Sequence, residues 1–262
     1  MVIISKIAAQ KRKGRYNVYI QDKYAFSISE ETLIKFNVHK DMELSDQKRK
    51  EILQYDEISK AYSKALNFLS GRLRTKNEII KKLQQLDISE DVIKETIDKL
   101  EKLNLINDEE YSLAYIRTCL KEGKKGPEKI KTYLIQKGVS KNIIEKSLTS
   151  FEENLFLNNG LNLANKKIQQ LCKYPIKIQQ TKLKNFLLTK GYGFNLVNEI
   201  IEQVHFVQDN EEQQTKLRKE IKKYLVKYRN YDKYEQILKL KQALYRKGYQ
   251  IDDINRELDK LN

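Results

Sequence analysis

The chain has 262 residues, with 51 Lys+Arg against 36 Asp+Glu, a formal net charge of +15 and 40% hydrophobic residues. That length suits one or two ordinary domains or an array of small ones, and the charge excess favours contact with phosphates or with an acidic protein surface. Two cysteines, Cys119 and Cys172, without a C-x-x-C exclude a disulfide framework, and no run approaches the ~18 apolar residues of a membrane span, so a soluble cytoplasmic protein with free thiols is expected.

Residues 1–50 read as a small β-rich module. Val2-Ile3-Ile4, Tyr16–Ile20 and Tyr24–Ile28 are short β-branched and aromatic runs, and Gln21-Asp22-Lys23 offers a hairpin turn. A helix is expected from Ser29, with Glu30 and Glu31 at its positive end. The polar stretch Ser45–Glu51 reads as a linker. Met1–Ala9 has no basic segment ahead of its apolar residues and does not resemble a secretion signal.

From Asp56 the period becomes helical. Ile58, Ala61, Tyr62, Ala65, Leu66 and Leu69 form one apolar stripe. Thr75-Lys76-Asn77-Glu78 is a capping box opening a second helix with Ile79, Leu83 and Leu86 as its buried face, and a third helix from Ser89 turns Ile93, Ile97 and Leu100 inward. A second unit starts at Asp108, read as an N-cap, and Gly126-Pro127 puts proline at a helix start, where its missing N–H costs nothing.

This plan recurs. Leu83, Leu134, Leu187 and Leu244 lie 51, 53 and 57 positions apart, each followed ten residues later by Ile93, Ile144, Val197 or Ile254. Lys137-Gly138, Lys190-Gly191 and Lys247-Gly248 end the corresponding helices with a cation and a residue suited to left-handed backbone, a place that Asp87 takes in the first unit. The expected fold is mainly α: three-helix units at 56–107, 108–152, 153–207 and 211–262 behind the β-rich module, stacked as an elongated, curved array, with Gln208–Glu212 between the last two.

Groups able to do chemistry do not converge. His39 and His205 fall in different modules without a partner at i+4, no glycine-rich loop follows a strand, and Asp108-Glu109-Glu110 sits where a helix start wants negative charge, so neither a metal nor a cofactor nor an enzyme is expected. Basic clusters carry more. Richness in Lys, Asn, Ile and Tyr is what an AT-rich coding sequence produces, so a single lysine signifies little, whereas a cluster without acids signifies more. Between Glu153 and Glu199 there is no acidic residue, while Lys166, Lys167, Lys173, Lys177, Lys182, Lys184 and Lys190 all fall there. Lys121, Lys124, Lys125, Lys129 and Lys131 surround Gly126-Pro127, and Arg72, Arg74 and Lys76 lie between the first two helices of unit one. The expected binding residues are Arg72, Arg74, Lys76, Lys124, Lys125, Lys129, Lys131, Lys166, Lys167, Lys173 and Lys177, forming a basic track suited to a polyanion or a repeating acidic protein surface.

Two stretches carry a specific resemblance. Ala65–Thr75 (ALNFLSGRLRT) and Leu105–Tyr111 (LINDEEY), the latter followed by Gly126–Lys131 (GPEKIK) and Gln136–Val139 (QKGV), resemble the RecX family of regulatory proteins. The match is strong over 61–139 and reduces to repeat periodicity over 153–262. The resemblance implies a non-enzymatic negative regulator of RecA recombinase, and a monomer is expected. Such a protein lies in the groove of the RecA–DNA filament, touches several protomers and suppresses ATPase, strand exchange and coprotease activity. The competing reading is a nucleic-acid-binding module whose tandem units contact phosphates, single-stranded DNA among them, directly.

Overall fold

The computed structural model describes residues 1–11, 14–206 and 210–260. Strands β1 (Val2–Ala9), β2 (Arg15–Ile20) and β3 (Lys23–Ser29) precede the helix α1 (Glu30–Lys35) and the short strand β4 (Glu43–Leu44), and form one antiparallel sheet in the order β3-β2-β1-β4. The hairpin pairs Ile20 with Lys23, which leaves Gln21 and Asp22 as a two-residue turn at φ 50° and 58°. Two left-handed residues match the twist of the flanking strands. One sheet face packs Ile4, Val18, Phe26, Ile28 and Leu44 into a core with Val38 and Ile52. Ser29 caps α1 as expected, its Oγ accepting from the Thr32 amide at 3.2 Å.

The segment Ser45–Glu51 is not a linker. Ser45 caps α2, which runs unbroken from Asp46 to Leu69, and Ile52 on its second turn is fully buried in the sheet's core. The polar residues before Ile52 coat the solvent side of a helix that the sheet and the following helices share.

The remaining helices are α3 (Lys76–Gln84), α4 (Glu90–Lys102), α5 (Asp108–Glu122), α6 (Pro127–Gln136), α7 (Lys141–Thr149), α8 (Glu153–Ile168), α9 (Ile176–Thr189), α10 (Phe194–Gln203), α11 (Asn210–Lys227), α12 (Lys233–Arg246) and α13 (Ile251–Asp259). They follow the repeat. Leu83, Leu134, Leu187 and Leu244 are each fully buried, and Ile93, Ile144, Val197 and Ile254 are buried ten residues on. Each such side chain contributes about 1.5–3 kcal/mol by leaving water, so the register of the repeat is the register of the cores. The Thr75–Glu78 capping box forms in both directions.

Two expectations need adjusting. Leu86 lies beyond the end of α3 and is exposed, because the helix stops two residues before it. Asp108 is not the N-cap of α5: the Asn107 side chain accepts from the Glu109 and Glu110 amides, at 2.9 and 3.1 Å. Asp108 instead accepts from the Lys76 amide at 2.8 Å, and its burial pushes its carboxyl above the usual range despite that bond. The polar stretch Gln208–Glu212 lies outside the residues whose side chains are described.

The chain divides into two compact units, Met1–Leu113 with Leu134–Ile144, and Ala114–Tyr133 with Glu145–Asn262. Within each, one joint recurs. The left-handed glycine ending a repeat's second helix rests on the start of the second helix of the preceding repeat. A Cβ on Gly138 (φ +83°) would lie 2.4 Å from Asn77, one on Gly191 (φ +87°) 2.4 Å from the Lys129 Cβ, and one on Gly248 (φ +87°) 2.8 Å from Ile178. The backbones lock where they meet: the Gly126 amide donates to the Lys190 carbonyl at 2.8 Å and the Glu128 amide to the Gly191 carbonyl at 2.9 Å. Glycine is required at these places twice over, by its φ and by the close approach.

Candidate basic interaction surface

In the first unit, the turn between α2 and α3 carries Arg72, Arg74 and Lys76. Arg72 is exposed, and Arg74 lies half-buried with its guanidinium 4.0 Å from the Phe68 ring centre. Lys76 is committed to an ion pair, its Nζ 2.9 Å from Glu101 Oε1. Acids are abundant around this turn. Glu78 accepts from Lys137 Nζ at 2.7 Å and from the Thr75 amide. Burial works to raise the Glu78 pKa, but those two hydrogen bonds and the charges of Lys137 and Arg74 outweigh it and hold the carboxyl below its ordinary value.

In the second unit, the turn before α6 presents Lys124 to solvent. Lys125 donates to the Tyr115 hydroxyl at 3.1 Å and lies over the stacked Tyr115–Tyr133 pair, whose centroids are 4.2 Å apart. The hydroxyl bond is the main reason its ammonium holds its proton above the usual lysine range. Lys129 Nζ donates to the Thr189 carbonyl at 3.2 Å, and Lys131 pairs with Glu145 at 3.4 Å.

The acid-free stretch behaves differently. Lys166 and Lys167 close α8, where cations oppose the negative end of the helix. Chain 169–175 then turns, and Pro175 with its fixed φ starts α9. The face of α9 carrying Leu183 and Leu187 packs against Ala164 and Leu171 and, from α10 and its flanks, Tyr192, Val197 and Ile200, so the polar residues between fall outward. The result is a cleft of about 510 Å³ lined by Lys167, Lys173 and Lys182, by the amides Gln170 and Asn185, and by the rings of Tyr174 and Phe186. Lys182 Nζ is 4.7 Å and Lys173 Nζ 5.6 Å from the Tyr174 ring centre, and Lys167 and Lys190 lie at 5.5 and 5.4 Å from that of Phe186. From α11, Lys216 reaches the same place, donating to the Lys173 carbonyl at 3.3 Å. Lys177 sits apart, 4.8 Å from the Tyr245 ring centre, and Lys166 is exposed without an ion pair among the described residues.

Of the expected residues, then, Lys167 and Lys173 come together in one cleft. Lys129 leans against the end of α9, and Lys76 and Lys131 are held by acids. Reading the chain in one dimension omitted Lys182 and Lys190 from the site although they lie in the same acid-free run, and it passed over Tyr174 and Phe186. The run itself was the signal, since aromatic rings interleaved with its lysines lack a competing carboxylate. Lys216 had no such signal, because it arrives from a separate helix.

His39 Nδ1 is bonded to the Lys40 carbonyl at 2.7 Å, and among the described residues no group of three His, Cys, Asp or Glu side chains could hold a metal ion. Cys119 is buried and Cys172 half-buried, and both are free thiols. No described helix is long and apolar enough to cross a membrane.

The comparisons with known proteins cover most of the chain. The family model for the regulatory protein RecX N-terminal domain matches residues 2–45, and those for the first and second RecX three-helix domains match 61–100 and 107–148. The model for the third RecX three-helix domain falls on 211–258, so α8–α10 lie between matched segments. A regulatory protein RecX of Limosilactobacillus reuteri is 38% identical over 259 residues, which span 99% of this chain and 98% of that one. One of Bacillus mycoides is 36% identical over 260 residues, 97% and 96% of the two chains. A crystal structure of a regulatory protein RecX superposes with a TM-score of 0.68 at 36% identity, covering 78% of this chain and all of that one. Another, of RecX from Lactobacillus salivarius, gives 0.55 at 42% identity over 57% of this chain and 97% of that one.

Proposed function

The chain belongs to the RecX family of regulatory proteins, and from that premise we propose that it is a cytoplasmic, monomeric, non-enzymatic negative regulator of RecA recombinase. It lies in the groove of the RecA–DNA filament and suppresses ATPase, strand exchange and coprotease activity. The observation that carries this reading is the recurrence of exposed cations at or beside the turn between the first and second helices of successive repeats, Arg72, then Lys124, then Lys166 and Lys173. A filament offers the same surface at each protomer, and a repeated ligand answers it. Each further contact forms at the effective concentration set by its neighbour, so modest individual attractions add up to useful affinity.

Co-sedimentation with RecA filaments and with bare single-stranded DNA, side by side, tests the proposal. The chain should pellet with filaments at concentrations where it does not pellet with DNA alone. Equal recovery with both would favour the second reading, a nucleic-acid-binding module contacting phosphates directly. One observation speaks for that reading, the lysine-rimmed aromatic cleft of α8 and α9.

A further inference from the structure

The cleft between the end of α8 and the outer face of α9 has a chemistry that phosphate attraction alone does not call for. A site that only neutralises phosphates needs mobile cations on an open surface. Here the cations stand around two half-buried rings, Tyr174 and Phe186, and Gln170 and Asn185 also line the cleft. Gln170 has its carbonyl engaged by Lys167 Nζ at 3.0 Å, which turns its NH2 group away from that lysine. At about 510 Å³ the cleft is the size of sites that take nucleotide-sized molecules.

We propose that this cleft is a subsite for single-stranded nucleic acid. A base stacks on Tyr174 or Phe186, its edge meets the Gln170 and Asn185 amides, and the flanking phosphates rest on Lys167, Lys173 and Lys182. A strand fits better than a free mononucleotide, because both rings carry their own lysines and so provide for more than one base and more than one phosphate. A duplex does not fit, because its bases are already stacked on one another and half-buried rings cannot reach them. An acidic peptide would satisfy the lysines and leave the two rings without a partner. Among the described residues no Asp or Glu lines the cleft. Stacking with a lysine rim is tolerant of sequence, since every base has a π face.

This inference rests on the second reading above, which it narrows to one strand class and one cleft, and it does not require filament binding, so its test contains no recombinase and its failure leaves the RecA reading untouched. Anisotropy of a labelled thymidine strand of about ten nucleotides, a length within the usual single-strand site sizes, is measured with the full chain. The controls are an abasic sugar-phosphate strand of equal length, a duplex, thymidine monophosphate and poly-glutamate. The thymidine strand should bind about tenfold more tightly than the abasic one, the range expected of base–aromatic stacking. Tyr174→Leu with Phe186→Leu keeps apolar packing but removes the π faces, and should abolish that tenfold preference while leaving abasic binding unchanged. Lys182→Gln should weaken both strands. Equal binding of the base-bearing and abasic parents overturns the proposal without any variant, as does competition by poly-glutamate or the duplex matching the thymidine strand. If the double variant does not fold, Tyr174→Leu alone, on the turn before α9, must still lower the preference. Binding of the monophosphate as tight as that of the strand would reassign the cleft to free nucleotides and contradict the proposal.

Discussion

The turn between α2 and α3 and the segment running from α8 into α9 are both lysine- or arginine-bearing, yet their cations are employed in opposite ways. Around the first, Lys76 faces Glu101 and Lys137 faces Glu78, which also accepts from the Thr75 amide. The second, among the described residues, has no carboxylate in the lining of its cleft, and its lysines stand over Tyr174 and Phe186. Cations counted alone along the sequence make these regions alike. Charge placed in the fold separates cations spent on holding the protein together from cations left for a partner.

The comparison can be broken most forcefully at Asp56, the most committed acid of the first unit. It is 1% exposed and accepts from Arg15 and Lys60, from the Ser29 amide at 2.6 Å and from Thr32. Asp56→Ala strands Arg15 beside the sheet, and should cost about 3–5 kcal/mol in chemical denaturation, the range for removing one partner of a buried pair. A cost below about 1 kcal/mol, typical of surface pairs, would mean that the first unit's charges are as dispensable as those of the α8–α9 segment.

Next in size is Gly191→Ala. It forces a side chain into left-handed backbone and onto the Lys129 Cβ, and should lower stability by more than about 1 kcal/mol, since alanine at positive φ loses more than its reduced unfolded-state entropy returns. Gly193→Ala is the control: a Cβ there meets nothing within 4 Å.

Acid titration sharpens the contrast further. Hydrogen bonds from Arg218 and Lys260 hold Glu257 down to about 2, against an ordinary value of 4.5. A carboxyl depressed in the fold contributes stability above its unfolded pKa and loses it as pH falls through the folded one. Melting followed by circular dichroism should therefore decline from about pH 4.5 toward about pH 2, and Glu257→Gln should flatten that slope. Asp56 and Glu78 act in the same direction, whereas the run 154–198 holds no acid to titrate. The smallest effect belongs to Lys76→Gln, at most about 1 kcal/mol for an exposed pair and weaker in high salt; Lys166→Gln should change melting by less still.

Much of this architecture was readable beforehand because buried leucines and isoleucines at fixed spacing leave a periodic trace, as Leu83 to Leu244 do. The Lys-Gly pairs were legible as helix ends. Their second role, letting one repeat's turn press on the repeat before, was not, because the residues they meet are sixty to seventy positions away, as Gly191 is from Lys129 and Gly248 from Ile178. Ser45–Glu51 misled because a solvated helix face and a linker have the same composition until a buried residue such as Ile52 is known to be buried. Asn107 and Asp108 are both able to cap, and only the partner of Asp108, an amide in another helix, decides between them. In the cleft the lysines announced themselves by the lack of acids. The rings looked like ordinary core residues, which they half are.

The measurement that bears most directly on the proposed role is steady-state ATP hydrolysis by RecA on single-stranded DNA, with the parent chain and with Lys166, Lys167, Lys173 and Lys177 all reversed to glutamate. The parent should lower turnover as its concentration rises, and the reversed chain should inhibit weakly while melting almost as the parent does, because exposed charges contribute little to stability. Equal inhibition by both would place the contact elsewhere, on Arg72, Arg74 or the Lys124–Lys131 cluster. No change in RecA turnover with the parent, or ATP hydrolysis by the purified chain alone that a point mutation removes, would contradict the account.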